Sequence, residues 1–226
     1  MNILIFGATG MVGQGVLREC LLDPGVTKVV AIGRSPARDT PMGRLPQAAK
    51  LEDLIHGDLF DYAAVADRLT GFDACFFCLG VSSAGMSEPD YTRLTHDLTL
   101  AAAGPLARLN PQMVFTYVSG RSTDSTEAGP SMWARVKGRT ENALLRLPFK
   151  AAYMFRPGAI EPLHGIKPKS RVYRAAYILL MPFMPLVKKL WPESLTTTEQ
   201  VGKAMIAAVR KLPEKRVLEV ADINAL

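Results

Sequence analysis

The chain opens Met1-Asn2-Ile3-Leu4-Ile5-Phe6-Gly7-Ala8-Thr9-Gly10-Met11-Val12-Gly13, and the reading of these thirteen residues decides the fold. Ile3 to Phe6 is an unbroken apolar run of strand length, the pattern of a strand covered on both faces, so Asn2–Phe6 is expected as the first strand. From Met11 the pattern turns helical. Val12, Val16, Leu17, Cys20 and Leu21 share one stripe, and Asp23-Pro24-Gly25 stops the helix near Leu22. Between strand and helix, Gly7 permits a tight turn, Gly10 lets the backbone approach a pyrophosphate, and Gly13 lets helix and strand pack closely. The unpaired amides of the helix start, at the positive end of its dipole, then face the phosphates. Gly7, Thr9, Gly10, Met11, Val12 and Gly13 are therefore the expected contacts of a dinucleotide. A turn that binds nothing is the competing reading.

Outward from this stretch, short apolar runs keep alternating with helical-period segments. Strands are expected at Lys28–Ile32, Leu54–His56, Ala74–Leu79, Met113–Val118, Ala151–Phe155 and Val217–Val220. Helices are expected over Asp61–Leu69, Tyr91–Leu109 with a kink at Gly104-Pro105, and Ser131–Leu147. A last one, capped by Thr197 or Thr198, should run to Lys211. Ser35 to Leu51, with three prolines, is an irregular polar connection. The pattern implies an α/β protein with a three-layer, doubly wound parallel sheet, the Rossmann fold. It forms a single domain over 1–226, with a small substrate-side portion at about 157–200.

The end of the second strand bears on which dinucleotide is bound. A site for NADH places an acidic residue about 20 residues beyond the glycines, on the ribose hydroxyls. Here the chain has Gly33-Arg34-Ser35, with no acid and a guanidinium suited to a 2′-phosphate. NADPH is the expected cofactor, ahead of NADH, with Arg38 as a second cation. A solvated surface charge is the alternative for Arg34.

Composition excludes several classes. The net charge of +6 suits an anionic ligand, but the Lys and Arg residues are scattered without aromatic interleaving, so nucleic acid is not expected. Three cysteines argue against a disulfide framework. Cys75 and Cys78, three apart in a strand, should face opposite sides of the sheet. With the first strand beginning at Asn2, no targeting peptide fits at the front, and a cytoplasmic location is expected. The most apolar stretch, Ala175 to Val187, is thirteen residues with Pro182 and Pro185, too short to span a bilayer that needs about 20. Peripheral membrane contact through it stays open. No metal site is read; His56 and His96 share no motif with other ligands.

The sequence resembles the atypical and extended branches of the short-chain dehydrogenase/reductase superfamily, in particular small NADPH-binding members of the Tat-interacting-protein oxidoreductase and epimerase/dehydratase-like types. The resemblance covers essentially the whole chain. It rests on Gly7 to Gly13, Gly33-Arg34, Gly57-Asp58-Leu59, Cys78-Leu79-Gly80, Tyr117-Val118-Ser119-Gly120, Val136-Lys137-Gly138 and Arg156-Pro157-Gly158. It implies Asp58 and Leu59 beside the adenine, Leu79 and Gly80 beside the ribose and pyrophosphate, and Pro157 and Gly158 near the nicotinamide. It makes Ser119 and Lys137 catalytic, with Lys137 also on the nicotinamide ribose. Arg156 is either a ligand or a buried ion-pair partner.

The family's proton-transferring tyrosine stands four residues before its lysine, and here that residue is Trp133. An indole N–H donates a hydrogen bond but does not exchange its proton near neutral pH. Tyr117 and Tyr91 are substitute candidates, and His164 is a further one. Ser82, Ser83 and the segment Ser122 to Ser131 are substrate contacts, lid residues or plain polar loop. Two functions follow: an NADPH-dependent oxidoreductase on a small carbonyl substrate with a modified proton relay, or a non-catalytic NADPH-binding redox sensor or regulatory protein. The chain is expected to be a monomer or a homodimer.

Overall fold

The computed structural model describes residues 1–167 and 194–226. In chain order its strands are β1 (Asn2–Phe6), β2 (Lys28–Gly33), β3 (Leu51–Ile55), β4 (Ala74–Phe77), β5 (Val114–Val118), β6 (Ala151–Arg156), β7 (Ala159–Glu161), β8 (Leu195–Thr197) and β9 (Val217–Glu219). Seven of them form one all-parallel sheet in the order β3-β2-β1-β4-β5-β6-β9, and β7 pairs with β8 in a separate parallel ribbon. The helices are α1 (Met11–Leu22), α2 (Glu88–Thr92), α3 (Leu98–Leu109), α4 (Met132–Leu145), α5 (Thr198–Lys211) and α6 (Val220–Ala225).

Alternation along each strand divides the apolar residues between two cores. Ile3, Ile5, Val29, Ala31 and Phe76 pack under α1 and α5, against Val16, Leu17, Cys20, Val201 and Met205. Leu4, Phe6, Val30, Cys75, Phe77 and Phe115 face the other way, under α3 and α4, against Ala103, Leu106 and Leu144. There the rings of Phe6 and Phe77 stack at 5.2 Å. At about 1.5–3 kcal/mol per fully buried large apolar side chain, these two layers drive the fold. Cys75 lies in the second core and Cys78 packs against the first, so the two thiols face opposite sides and form no redox pair.

Several expected boundaries move. The third strand begins earlier, at Leu51, and the fourth ends at Phe77, because the chain at Cys78 and Leu79 turns against Gly7. The helix expected over Asp61–Leu69 is a 3₁₀ run at Ala63–Leu69. The polar connection folds into three 3₁₀ turns, Ala37–Asp39, Pro41–Arg44 and Pro46–Lys50, each started by a proline whose φ suits a turn entry. The long helix expected from Tyr91 is interrupted by a π-turn at Arg93–Asp97, while α3 continues through Pro105. Thr197 caps α5, its hydroxyl accepting from the Gln200 amide at 2.9 Å. The last strand stops at Glu219 because a capping box between Glu219 and Asp222 starts α6. Ala175 to Val187, with the membrane contact considered for it, lies outside the described residues. Among the described residues no helix is long and apolar enough to cross a membrane.

Candidate functional site

The strand order reverses between β1 and β4. From β1 the chain winds outward to β2 and β3, and from β4 to β5 and β6, which opens a crevice at the carboxyl ends of β1 and β4. The glycine turn lies there. Gly7 has φ +78°, and a Cβ on it would stand 2.8 Å from the Cys78 carbonyl carbon and the Leu79 amide. A Cβ on Gly13 would lie 2.1 Å from the Gly7 carbonyl oxygen, so no other residue lets α1 start this close to β1. The N-cap of α1 is Gly10, with no side-chain cap and no acid in the first turn. The amides of Met11, Val12 and Gly13 are thus left without a side-chain partner, and the helix dipole is not offset. Thr9 is fixed through its carbonyl, which accepts from Gln14 Nε2 at 3.2 Å.

A cleft of about 130 Å³ continues from this turn, lined by Gly7, Ala8, Thr9, Ala31, Ile32, Gly33, Arg34, Ser35, Ala37, Leu59 and Leu79. The structure thereby brings together Gly7, Thr9, Arg34, Leu59 and Leu79. Arg34 is exposed at its rim and pairs with no carboxylate among the described residues. Arg38 is turned away, bonded to the Leu51 carbonyl and 3.8 Å from Asp53, whose carboxylate also accepts from the Ala37 amide at 2.6 Å. Arg38 belongs to the connection's own framework, not to the cleft. Asp58 is exposed and accepts from the Phe60 amide at 2.9 Å, the work of a turn former, and Gly80 stands in open space beyond Leu79. Space that a Cβ would fill, an uncapped helix start and an exposed guanidinium at the cleft rim together fit a dinucleotide.

A second group collects at the carboxyl end of β5. Ser119 is buried, its amide bonded to the Phe155 carbonyl at 2.7 Å and its Oγ 3.0 Å from Thr123 Oγ1. Thr123 Oγ1 donates its one proton to the Gly120 carbonyl at 2.7 Å, so in this state Ser119 is the donor to Thr123. Lys137, from α4, donates to Tyr117 Oη and to the Val118 carbonyl, both at 3.4 Å, and its ammonium lies 5.1 Å from the Tyr117 ring centre. Burial lowers the Lys137 pKa to about 8. Burial pushes the Tyr117 phenol far above its ordinary value. Tyr91 is also fully enclosed. Neither phenol opens onto the crevice, and the half-buried Trp133 comes within ordinary contact of Gly120.

The segment after Ser119 is pinned. A Cβ on Gly138 would fall 1.8 Å from the Asp124 carbonyl oxygen, and the Asp124 carboxylate accepts from the Thr126 and Gly129 amides at 3.0 and 2.6 Å. The segment Ser122 to Ser131 is a loop braced by the Asp124 carboxylate and by Gly138. Arg156 proves to be an ion-pair partner. Its Nε donates to Glu141 Oε1 at 3.0 Å, a second nitrogen donates to Glu141 Oε2, and Glu219 stands 3.3 Å away. Pro157 accepts from the Arg121 amide at 3.0 Å, and Gly158 lies against the Ser194 carbonyl. Both stand at the carboxyl end of β6, beside the Ser119 segment. His164 pairs with Glu199 at 2.6 Å. Glu19, His164 and Glu199 converge closely enough to hold a metal ion, a grouping invisible in the sequence because their positions are so far apart. Arg18 and Lys203 already neutralise the two carboxylates.

The fold and this crevice define a dinucleotide-binding α/β protein. The chain belongs to the NAD dependent epimerase/dehydratase family, whose model matches residues 3–127. It is 31% identical over 168 residues to the protein fmp52, mitochondrial, of Emericella nidulans, covering 70% of this chain and 66% of that one. It is 26% identical to protein HTATIP2 of Rattus norvegicus, covering 70% of this chain and 62% of the relative. The chain therefore aligns with somewhat under two thirds of these relatives' lengths. Among solved structures, a UDP-glucose-4-epimerase from Stenotrophomonas maltophila with bound NAD superposes with a TM-score of 0.67 at 18% identity, over 98% of this chain and 80% of that one. The fmp52 relatives are named mitochondrial, which overturns the expectation of a cytoplasmic protein. That expectation leaned on the reading of the first strand, and a strand says nothing of compartment.

Proposed function

We propose that the protein is an NADPH-dependent oxidoreductase acting on a small carbonyl compound, with a proton relay that runs through Lys137 instead of a tyrosine. The observation that carries the cofactor choice is Arg34, an exposed guanidinium without a carboxylate partner among the described residues, at the rim of a cleft lined by Gly7 and Thr9. Arg34 would hold the 2′-phosphate, the amides of Met11, Val12 and Gly13 the pyrophosphate, and Leu59 the adenine, with Asp58 shaping its turn. Leu79 and Gly80 would flank the ribose, and Pro157 and Gly158 would border the nicotinamide. When bound, the nicotinamide supplies the hydride that carbonyl reduction needs.

The chain's own residues supply the proton. Lys137 has three N–H bonds, and two of them point at Tyr117 Oη and Val118 O. The third is free for the substrate oxygen, and a pKa of about 8 lets the ammonium give up its proton near neutral pH. Ser119 orients that oxygen, after its hydroxyl turns from Thr123. Trp133 walls the site and moves no proton.

A non-catalytic NADPH-binding sensor is the second reading, favoured by the enclosure of both Tyr91 and Tyr117. Following NADPH consumption with a panel of small aldehydes and ketones separates the two. On the enzyme reading, kcat falls as pH rises through about 8, where Lys137 loses its proton. Trp133→Tyr then raises turnover toward the roughly 10²–10⁴-fold that a positioned acid contributes. NADPH binding without turnover in the parent and the Trp133→Tyr variant alike selects the sensor.

A further inference from the structure

Among the described residues, some guanidiniums have a carboxylate close by and others do not. Arg18, Arg38, Arg68, Arg135, Arg139, Arg156 and Arg210 each lie within ion-pair distance of a carboxylate. Arg121, like Arg34, Arg44, Arg93, Arg108, Arg146 and Arg216, has no carboxylate within that distance among the described residues, and its position sets it apart. It is exposed, two positions beyond Ser119, at the carboxyl end of β5 where open α/β sheets receive their ligands. Its amide donates to the Pro157 carbonyl at 3.0 Å and its Nη1 to Ser194 Oγ at 2.8 Å, while the Ser194 backbone packs on Gly158. The backbone of Arg121 is thus tied to the segment after β6, and one neutral hydroxyl, on a residue packed against Gly158, holds its positive charge. A guanidinium bonded to a hydroxyl keeps most of its donors, and an anionic oxygen is the better acceptor for them.

We propose that the substrate carries an anionic group, a carboxylate or a phosphate, and that Arg121 receives it while Ser119 and Lys137 face the carbonyl. The inference rests on the oxidoreductase reading and narrows its substrate class. Arg34 takes the cofactor's phosphate at the end of β2, and Arg121 takes the substrate's anion at the end of β5. The chain's net charge of +6 favours the approach of both. Release of Ser194 from Arg121 lets the guanidinium turn to the incoming anion with only a neutral hydrogen bond broken.

Three aldehydes of one skeleton test this: benzaldehyde, 4-carboxybenzaldehyde and 4-formylphenyl phosphate. Each is titrated by calorimetry into the full chain saturated with NADPH, whose own binding is measured first. The anionic compounds should bind at least about tenfold more tightly than benzaldehyde, the scale of one charge-assisted contact at an exposed site. Preference for the carboxylate or for the phosphate names the group. In Arg121→Gln the preference should fall to near unity, and Arg121→Lys, which keeps the charge without the fork, should retain part of it. Circular dichroism and NADPH affinity report that both variants are folded. Equal affinity for all three aldehydes, or a preference that survives Arg121→Gln, overturns the anion proposal and leaves the cofactor assignment standing. Failure of NADPH itself to bind removes both.

Discussion

Replacing Arg34 by alanine isolates the cofactor choice, because among the described residues this side chain has no ion-pair partner to lose. A hydrogen bond to a charged group contributes about 1.5–3 kcal/mol net. Arg34 stands in solvent, where water and salt weaken the contact, so the lower half of that range applies. About 1.5–2 kcal/mol corresponds to roughly a 10- to 30-fold loss in NADPH affinity, while NADH, lacking the 2′-phosphate, is unaffected. Since no ion pair is broken, stability should move by no more than about 0.5 kcal/mol. Arg38→Ala is the contrast: it loses the Leu51 carbonyl and Asp53 and should lower stability while leaving the cofactor ratio alone. Fluorescence titration of both nucleotides at low and high salt gives the four Kd values needed. In the parent protein NADPH should be preferred by about tenfold or more, less so at high salt. If the preference survives Arg34→Ala, or if NADH weakens equally, the guanidinium does not read the 2′-phosphate and the argument from the free charge fails.

Two further substitutions test the framework around the cleft. Gly13→Ala places a methyl 2.1 Å from a backbone oxygen that cannot move independently, so it should destabilise by about 1–3 kcal/mol and weaken NADPH and NADH alike. A thermal melt with and without NADPH checks both effects. Glu141→Gln leaves the Arg156 guanidinium buried with only the more distant Glu219, which breaks a buried pair at a cost of about 3 kcal/mol. At roughly 2–4 °C per kcal/mol for a chain of this size, the melting temperature should drop by about 6–12 °C, and an unchanged melt would show the pair to be dispensable.

Most of the architecture was legible because it is written in local patterns. The unbroken apolar runs of β1, β2 and β4 read as buried parallel strands, since every residue in them enters one core or the other. The glycine turn was legible for the same reason: its constraint is steric and lies within seven residues. Boundaries shifted where a tertiary contact overrode the pattern. β4 ends at Phe77 because Gly7 lies against Cys78 and Leu79. β9 ends at Glu219 because Asp222 completes a cap. The short ribbon of β7 and β8 escaped because its strands lie more than thirty residues apart in the chain and are three residues long each. Segments so short show no period.

The site was legible as residue types and much less so as charge states. The sequence ranks Arg34 ahead of Arg38 by its place at the end of β2, but it does not show that Arg38 is engaged elsewhere. The difference is Asp53 on the neighbouring strand, whose carboxylate holds the turn that carries Arg38 and leaves Arg34 outside it. Arg156 and Arg121 divide in the same way: one faces Glu141 from α4, while the other, among the described residues, bonds Ser194 from beyond β7. A cation's partner is chosen by topology, so its availability to a ligand emerges only once the strands are ordered. The same holds for the proton relay. Trp133 stands in the sequence where the resemblance leads one to expect a tyrosine. That Lys137 lies among the enclosing side chains of β5, with its pKa lowered by lost hydration, depends on α4 being drawn onto the braced loop through Gly138 and Asp124. On the proposed relay, the loop and Lys137 act as one device, and the pKa of Lys137 belongs to the packing of α4 as much as to the lysine.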